Sequence, residues 1–334
     1  MSTPSSLKVC VIGAGAIGCT LAARLARSNP DTSLLARGAA LATIQRQGIC
    51  LTDLEGEHRV AIRTSADPAS LGIQDVLFLC TKAPALATLL PTLAPLLGPT
   101  TVVVPLVNGV PWWYFHGEPG RFSGSHIEAV DPGGVLSQAL DPRHILGCVV
   151  YITAEVQALG RVRAINPHLM ILGEPDNSNS SRLAQVCALL NAAGIEARAS
   201  ERIRDPLWTK IIANLTSNPL SVVTGATLAQ VYGEPELTPV VSKLLNEALL
   251  TAAAYGARVS IDPHTFMAKG AGMGQVRTSM LQDYAHGRPL ELAAIGEAVL
   301  ELAGRQGLAM PVTADILNLA RFCGQSTKQQ ILLR

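Results

Sequence analysis

Apolar positions in the first two hundred residues follow two alternating patterns. Short, nearly uninterrupted apolar runs, typical of buried β-strands, alternate with segments in which apolar residues recur every three or four positions, as on one face of a helix. The strand-like runs lie at 8–13, 33–36, 60–63, 75–82, 101–109 and 195–199, with further short runs between 147 and 173. The helix-like segments lie at 16–27, 85–97 and 181–193. Continuous apolar strands joined by helices predict a parallel sheet that is covered on both faces.

From about residue 201 onward the pattern is helical throughout. The periodic segments lie at 205–223, 237–255, 263–269, 278–285, 290–306 and 312–322. The pattern therefore predicts an α/β N-terminal domain over residues 1–200 and an all-α C-terminal domain over residues 201–334. A cleft between two such domains is the default place for a small-molecule site.

Composition excludes several classes of protein. The 26 basic and 25 acidic residues nearly cancel, so nothing indicates a nucleic-acid partner or a polybasic membrane anchor. The seven cysteines show neither C-x-x-C nor zinc-ligand spacing, which predicts no metal site and favours a reducing cytoplasm. The N-terminus lacks the features of a signal peptide. Prolines or asparagines interrupt the long uncharged stretches 83–117 and 211–233, so neither is expected to span a membrane.

A glycine-rich turn follows the first strand-like run. In "GAGAIG", Gly13 permits a tight turn, Gly15 lets the backbone approach a pyrophosphate, and Gly18 lets the following helix pack closely. Ala14, Ala16 and Ile17 complete this turn and the start of the helix, whose unpaired N–H groups favour phosphate. The strand–turn–helix context predicts a Rossmann-type dinucleotide-binding domain.

The end of the second strand indicates which dinucleotide is bound. NAD enzymes usually carry an acidic residue there, but this strand ends in Ala36 and Arg37, and Asp31 lies at its other end. A guanidinium beside the ribose suits a 2′-phosphate, so the sequence favours NADP(H). The alternative is that Arg37 is an ordinary solvated arginine.

Two further polar residues lie at the carboxyl ends of predicted apolar strands. Lys82 ends "FLCTK", and Asn108 ends "LVNG". Carboxyl ends of strands in a doubly wound sheet face the ligand crevice, so both side chains are candidates for contact with cofactor or substrate. Ordinary solvation of a strand end remains the alternative for each.

A polar stripe interrupts the apolar helix 205–223. Lys210, Asn214 and Asn218 fall within roughly 80° of one face at the helical repeat. A buried lysine and two buried amides cost free energy unless polar groups meet them. The stripe therefore either faces water or lines a site.

Three other features are less specific. Ser279 lies in "TSMLQD", and Glu291 lies near the start of a helix, where the dipole alone favours a carboxylate. The aromatic run Trp112–Phe115 could wall a cofactor pocket, form a dimer contact or anchor a loop, and we favour the structural role.

Taken together, these segments resemble the ketopantoate reductase (2-dehydropantoate 2-reductase) family over nearly the whole chain. The resemblance is carried by "GAGAIG" at 13–18, "LLARG" at 34–38, "TK" at 81–82, "NG" at 108–109, "LWTKIIANLTSNPL" at 207–220 and "TSMLQD" at 278–283. The lysine helix and the Ser-Met-Leu-Gln-Asp segment are its specific parts, whereas the glycine turn alone is not.

The resemblance implies NADPH-dependent reduction of ketopantoate to pantoate in pantothenate synthesis, with hydride delivered to the C2 carbonyl. It implies that Lys210 is the general acid for the carbonyl oxygen, and that Asn214 and Asn218 bind the substrate from the same helix. It further implies that Ser279 holds the substrate carboxylate and that Glu291 lies near the substrate hydroxyl and the nicotinamide.

For the cofactor, the resemblance implies NADP contacts from Arg37 and Lys82 and a contact of Asn108 with both cofactor and substrate. A homodimer is implied only by the resemblance. The chain departs from the family where an aspartate and an asparagine often follow the glutamate, because it has Ala293 and Gly296 there. Its segment 111–145 also looks longer than in compact members, and both differences leave the exact 2-oxo acid open.

Two other interpretations stay open at this point. A 3-hydroxy acid dehydrogenase also joins a Rossmann domain to helices and uses a Lys-x-x-x-Asn helix, but Asn218 before a proline and the "SMLQD" segment argue against it. A non-catalytic NADP sensor would need no proton donor, so the presence of both Lys210 and Glu291 argues against that interpretation.

Overall fold

A computed structural model describes residues 6–260 and 262–332, with side chains described as far as residue 325. Contacts divide the chain into two compact units. Unit 1 comprises Met1–Val107, Trp113–Ser125 and Gly134–Ile203, and unit 2 comprises Asn108–Trp112, His126–Gly133 and Arg204–Arg334.

In its described part, unit 1 contains the strands and five α-helices. The strands are β1 (Val9–Ile12), β2 (Thr32–Leu35), β3 (Ile49–Asp53), β4 (Gly56–Val60), β5 (Arg63–Ser65), β6 (Val76–Leu79), β7 (Val102–Pro105), β8 (Gly147–Tyr151), β9 (Ala154–Ala158), β10 (Arg161–Ala164), β11 (Leu169–Gly173) and β12 (Glu196–Ala199). The helices are α1 (Ala16–Ser28), α2 (Gly38–Gln47), α3 (Leu86–Leu89), α4 (Val135–Ala139) and α5 (Ser181–Ala192).

The central sheet of unit 1 is parallel and has the order β5-β2-β1-β6-β7. Strands β1, β6 and β7 are buried along their whole length, which explains their nearly uninterrupted apolar sequences. Strand β2 is buried as well, although it begins with Thr32 and Ser33. The register aligns Ile12 with Leu35 and with Leu79, so the carboxyl ends of these three strands lie side by side. The residues that follow, from Gly13, Arg37 and Lys82, therefore leave the sheet at the same edge.

Several local features differ from the sequence expectation. Two smaller sheets have the orders β4-β3-β10-β9 and β12-β11-β8. The β3–β4 hairpin was missed in the sequence because β4 is mostly polar and exposed. The expected strand 60–63 spans the end of β4 and the start of β5. The expected helix 85–97 is α3 followed by the 3₁₀ segment Leu90–Leu96, because prolines inside it remove backbone donors.

An ion-pair cluster fixes the β3–β4 hairpin to α1. Arg24 lies 2.6 Å from Asp53, whose side chain is 1% exposed, and 2.7 Å from Glu55. Breaking a buried pair of this kind on one side costs about 3 kcal/mol or more, because the remaining charge is left without compensation. The cluster therefore helps to hold α1, which begins at the glycine turn.

His168 next to this cluster predicts a pH dependence of stability. Burial, and secondarily the charge of Arg24, lowers the pKa of His168 below its usual 6.5, and its buried Nε2 has no partner among the described residues. Below pH 6.5 the unfolded chain therefore binds this proton more readily, so the free energy of unfolding falls as the pH is lowered. We expect His168→Leu to reduce that fall between pH 7 and pH 5 in urea titrations. The exposed His264 on α9 gives the matched control, and an unchanged pH slope in His168→Leu would contradict the assignment.

Unit 2 is helical, and no strand lies in its described residues. Its helices are α6 (Arg204–Thr224), α7 (Leu228–Gly233), α8 (Thr238–Ala254), α9 (Pro263–Ala271), α10 (Ser279–Ala285), α11 (Ala298–Arg305) and α12 (Pro311–Leu332), with a π-helix at Ala293–Glu297. The two units confirm the predicted fold class. No helix within 6–260 and 262–332 combines the length and apolarity needed to cross a membrane.

The segment His126–Gly133 is bound to unit 2 by α11. The Glu301 carboxylate accepts hydrogen bonds from the N–H groups of Glu128 and Ala129 at 3.0 and 2.9 Å. Arg305 donates to the carbonyl of His126 and to Glu301, both at 2.6 Å. These bonds hold part of the long connection after β7 on the helical unit.

Candidate functional site

The three positions of the turn are occupied by glycine for different steric reasons. Gly13 has φ +107°, which favours glycine, and a Cβ there would lie 3.0 Å from Thr81 Cγ2. A Cβ on Gly18 would lie 1.9 Å from the Gly13 carbonyl oxygen, so the helix approaches the turn too closely for any side chain. A Cβ on Gly15 would meet nothing within 4 Å. The open space at Gly15, at the N-terminus of α1, is where a pyrophosphate can approach the backbone.

Polar side chains follow the neighbouring strands. Arg37 is exposed and precedes α2, and its side chain makes no hydrogen bond or ion pair with the described residues. Lys82 is also exposed and begins the turn that leads to α3. The sequence reasoning missed Thr81, whose buried hydroxyl has no partner among the described residues and whose Cγ2 lies beside Gly13. In the sequence, the only indication of Thr81 was a hydroxyl residue at the end of a strand. In the structure, a hydroxyl without a partner beside the open turn fits a bound dinucleotide.

The cysteines near the turn do not supply a nucleophile. Burial raises the pKa of the Cys10 thiol to about 11 and that of Cys19 to about 12. Burial also raises the pKa of Cys80, the residue before Thr81. These thiols stay protonated at neutral pH, so thiolate chemistry is absent at this part of the described structure.

The polar stripe lies on α6 in unit 2. Lys210 and Asn214 are half-buried, and Asn218 is 3% exposed. The Asn218 Oδ1 atom is buried and has no hydrogen-bond partner among the described residues. An unpaired buried amide oxygen costs about 1–3 kcal/mol, and a bound group that donates to it would remove that cost.

Ser279 begins a helix, and Glu291 lies just before one, and both of these helices pack against α6. Ser279 is the first residue of α10 and is exposed, whereas Glu291 is half-buried just before the π-helix. Both α10 and the π-helix contact α6. The structure therefore brings together, within unit 2, the elements that carry the predicted substrate residues.

Asn108 also belongs to unit 2. The expected strand 101–109 ends at Pro105, and the N–H of Val110 donates to the carbonyl of Ala294 in the π-helix at 2.8 Å. Gly109 has φ +79°, and a Cβ there would lie 2.1 Å from the same carbonyl oxygen. Asn108 is thus placed by the π-helix that follows Glu291, and π-helices are frequent at functional sites.

The π-helix corrects the expected regular helix over 290–306, of which only Ala298–Arg305 is α-helical. Gly296 lies within it, and a Cβ there would be 2.3 Å from Leu317 Cδ2 on α12. Position 296 therefore faces packed side chains in this chain. Ala293 is half-buried.

The aromatic run is internal. Trp112, Trp113, Tyr114 and Phe115 are each at most 3% exposed. Trp113 packs on Gly147, where a Cβ would lie 2.8 Å from its ring, and Phe115 stacks obliquely on Phe122. Burial within one chain favours the anchoring role and removes the rings from any contact between copies.

A cavity of about 720 Å³ in unit 1 contains none of the predicted site residues. It lies at the amino ends of β6 and β7, opposite the edge that carries the glycine turn. Its arginines are already paired, Arg143 with Asp141 at 2.6 Å and Arg182 with Glu174 at 2.5 Å. The candidate residues for chemistry therefore remain those at the turn and on unit 2.

Two family profiles match the sequence. Residues 9–113 match ketopantoate reductase PanE/ApbA, and residues 202–323 match ketopantoate reductase PanE/ApbA C terminal. The matched residues include the glycine turn, the α6 stripe, Ser279 and Glu291.

Individual proteins show the same similarity. A 2-dehydropantoate 2-reductase of Mesorhizobium japonicum is 39% identical over 317 residues, which cover 94% of this chain and 97% of the relative. A solved structure from Ralstonia solanacearum MolK2, provisionally described as a ketopantoate reductase, is 39% identical with a TM-score of 0.91 over 97% of this chain and 99% of that one. A structure of D-mandelate dehydrogenase with NADH and anilino(oxo)acetate has a TM-score of 0.82 at 19% identity, covers 96% of this chain and 99% of that one, and shows the fold alone.

Proposed function

Since this chain belongs to the ketopantoate reductase family, an oxidoreductase family that uses a nicotinamide dinucleotide, we propose that it reduces 2-dehydropantoate to pantoate with NADPH. The observation that carries the proposal is the α6 stripe. Its deepest member, Asn218, has a buried amide oxygen that lacks a partner among the described residues, and Lys210 lies on the same face of the helix. A hydroxyl-bearing 2-oxo acid can donate to that amide and accept a proton from that ammonium.

The residues at the turn fit the proposed cofactor. Gly15 leaves open backbone at the start of α1 for the pyrophosphate, Gly13 and Gly18 allow the tight turn and the close approach of the helix, and the orphaned Thr81 hydroxyl is a further donor beside the turn. In the proposed complex Arg37 pairs with the 2′-phosphate, and Lys82, after the neighbouring strand β6, supplies a second positive charge. The cofactor supplies the hydride when it is bound.

The proposed roles of the unit 2 residues follow from the charge that the reaction creates. Negative charge develops on the C2 oxygen as hydride arrives, and the Lys210 ammonium stabilises and then protonates that oxygen. Asn214 and Asn218 bind the substrate without adding a competing charge. Ser279 hydrogen-bonds the substrate carboxylate. Glu291 accepts a hydrogen bond from the substrate hydroxyl, and Asn108 contacts both substrate and cofactor from the loop that is bonded to the π-helix through Val110.

One assay tests the proposal directly. NADPH oxidation is followed with 2-dehydropantoate and with a panel of other 2-oxo and 3-oxo acids at matched concentrations. We expect 2-dehydropantoate to give the highest kcat/KM. Turnover of only 3-oxo acids would favour the 3-hydroxy acid dehydrogenase alternative, and turnover of none of the acids would exclude a reductase of this class.

The preference for NADPH over NADH is expected to depend on Arg37. An arginine–phosphate hydrogen bond contributes about 1.5–3 kcal/mol, so Arg37→Ala should lower the NADPH/NADH ratio of kcat/KM by about 10- to 100-fold, with the NADH value little changed. Arg46 is exposed on α2 and gives a matched control for loss of one positive charge on unit 1. A ratio that stays unchanged in Arg37→Ala would remove Arg37 from cofactor selection.

A further inference from the structure

Two buried hydroxyl groups connect α6 to the start of α10. Ser221 follows Asn218 by three residues and is fully buried, and Thr278, just before Ser279, is 6% exposed. Their side-chain oxygens lie 2.7 Å apart. Ser221 also bonds the backbone carbonyl of Asn218 at 2.7 Å, and the N–H of Leu281 bonds the Thr278 hydroxyl at 3.1 Å.

The number of available protons fixes the direction of these bonds. Each hydroxyl has one proton to donate, and the Ser221 proton is used on the Asn218 carbonyl. Thr278 must therefore donate to Ser221 and accept from Leu281. The result is one continuous chain from the Leu281 N–H through both hydroxyls to the Asn218 carbonyl, and bonds aligned in this way strengthen one another in a buried setting.

Both ends of this chain adjoin residues of the proposed substrate site. Thr278 caps α10, so its position sets the backbone of Ser279, and the other end is the backbone of Asn218 itself. The helical ladder is weakened at this point, because Pro219 has no N–H to donate to the carbonyl of Leu215. Helix α10 has only seven residues, too few to be stable without its cap and its packing.

We propose that the hydroxyl pair Ser221–Thr278 positions the Ser279 hydroxyl relative to the Asn218 amide and thereby sets the affinity for the carboxylate of the 2-oxo acid. This inference rests on the proposed function. Neither Ser221 nor Thr278 touches the substrate, and both act through their neighbours. The pair joins α6 to the start of α10 within unit 2.

Ser221→Ala and Thr278→Val each break the chain at one hydroxyl. We expect each to raise KM for the 2-oxo acid about 10-fold, with kcat within about threefold and the Kd for NADPH unchanged, since one well-placed hydrogen bond contributes about a tenfold factor. Thr278→Ser keeps the hydroxyl and should restore KM. Calorimetric titration of pantoate into the NADP⁺ complex should show the same loss of affinity independently of turnover.

Thr216 provides the matched control. It is a fully buried hydroxyl on the same helix, and it pairs with the Tyr232 hydroxyl at 2.9 Å instead of with α10. Thr216→Val should lower thermal stability to a similar extent and leave KM unchanged. The inference is overturned if KM is unchanged in folded Ser221→Ala, or if Thr216→Val raises KM equally. A wild-type protein that reduces no 2-oxo acid would instead overturn the proposed function, and the inference with it.

Discussion

Replacing Lys210 by alanine is expected to lower kcat with the 2-oxo acid by at least about 100-fold and to leave the Kd for NADPH within about twofold of wild type. The proposed lysine acts on the substrate oxygen only as hydride arrives, and general acids of this kind contribute about 10²- to 10⁴-fold. The glycine turn, Arg37 and Lys82 belong to unit 1, whereas Lys210 lies on α6 in unit 2, so cofactor affinity should not follow turnover. Steady-state kinetics and a titration of NADPH fluorescence measure the two quantities separately.

Two further variants separate proton donation from charge. Lys210→Arg retains a cation but not an acid of suitable strength, because arginine does not lose its proton in proteins, so it should stay well below wild type. Lys243→Ala removes the same charge from an exposed position on α8 and should be as active as wild type. Near-normal turnover in Lys210→Ala would remove this residue from the mechanism.

Gly15→Ala and Gly18→Ala are expected to impair NADPH binding for different reasons. At Gly18 the new Cβ would lie 1.9 Å from a backbone carbonyl and 3.1 Å from Cys80 Cβ, and neither neighbour is a flexible side-chain end. We expect a loss of about 3 kcal/mol, seen as a fall in Tm of about 10 °C without ligand, together with loss of NADPH binding. At Gly15 the backbone is extended and the Cβ position is empty, so Tm without ligand should change by less than about 2 °C.

The Gly15→Ala variant is therefore the sharper test of the cofactor site. Its methyl group fills the space that the pyrophosphate needs, so the Kd for NADPH should rise at least about 10-fold in a fully folded protein. Gly18→Ala reports steric packing of α1, and Gly15→Ala reports access of a phosphate to the backbone. An unchanged Kd in Gly15→Ala would show that this turn does not bind the dinucleotide.

Local pattern was sufficient for much of the fold. Strands β1, β6 and β7 and helix α6 follow directly from apolar periodicity, because each has one environment along its length. The apolar pattern did not predict the type of helix where prolines or contacts with distant elements determined the backbone geometry. The segment 85–97 became mainly 3₁₀ helix, and 290–306 begins with a π-helix that is bonded to a loop far away in the sequence.

For the site, the spacing of Lys210, Asn214 and Asn218 is enough to place three polar groups on one face of a helix. Spacing left Ser279 and Glu291 without a role, since a serine at a helix start and a glutamate near one are common. Only the resemblance gave them roles, and the structure adds that their elements pack against α6. Thr81 was missed because a buried, unpaired hydroxyl can be recognised only from its surroundings.

The sequence by itself determined the glycine turn, the parallel strands that lead to Arg37 and Lys82, and the polar face of α6. These features depend on residues a few positions apart, whose geometry the backbone fixes. The tertiary structure alone decided that Val110, two residues after Asn108, donates to the carbonyl of Ala294 and that Ser221 meets Thr278. Those contacts join residues 184 and 57 positions apart in the sequence (294 minus 110, and 278 minus 221). Their partners are chosen by the packing of helices, which no local pattern specifies.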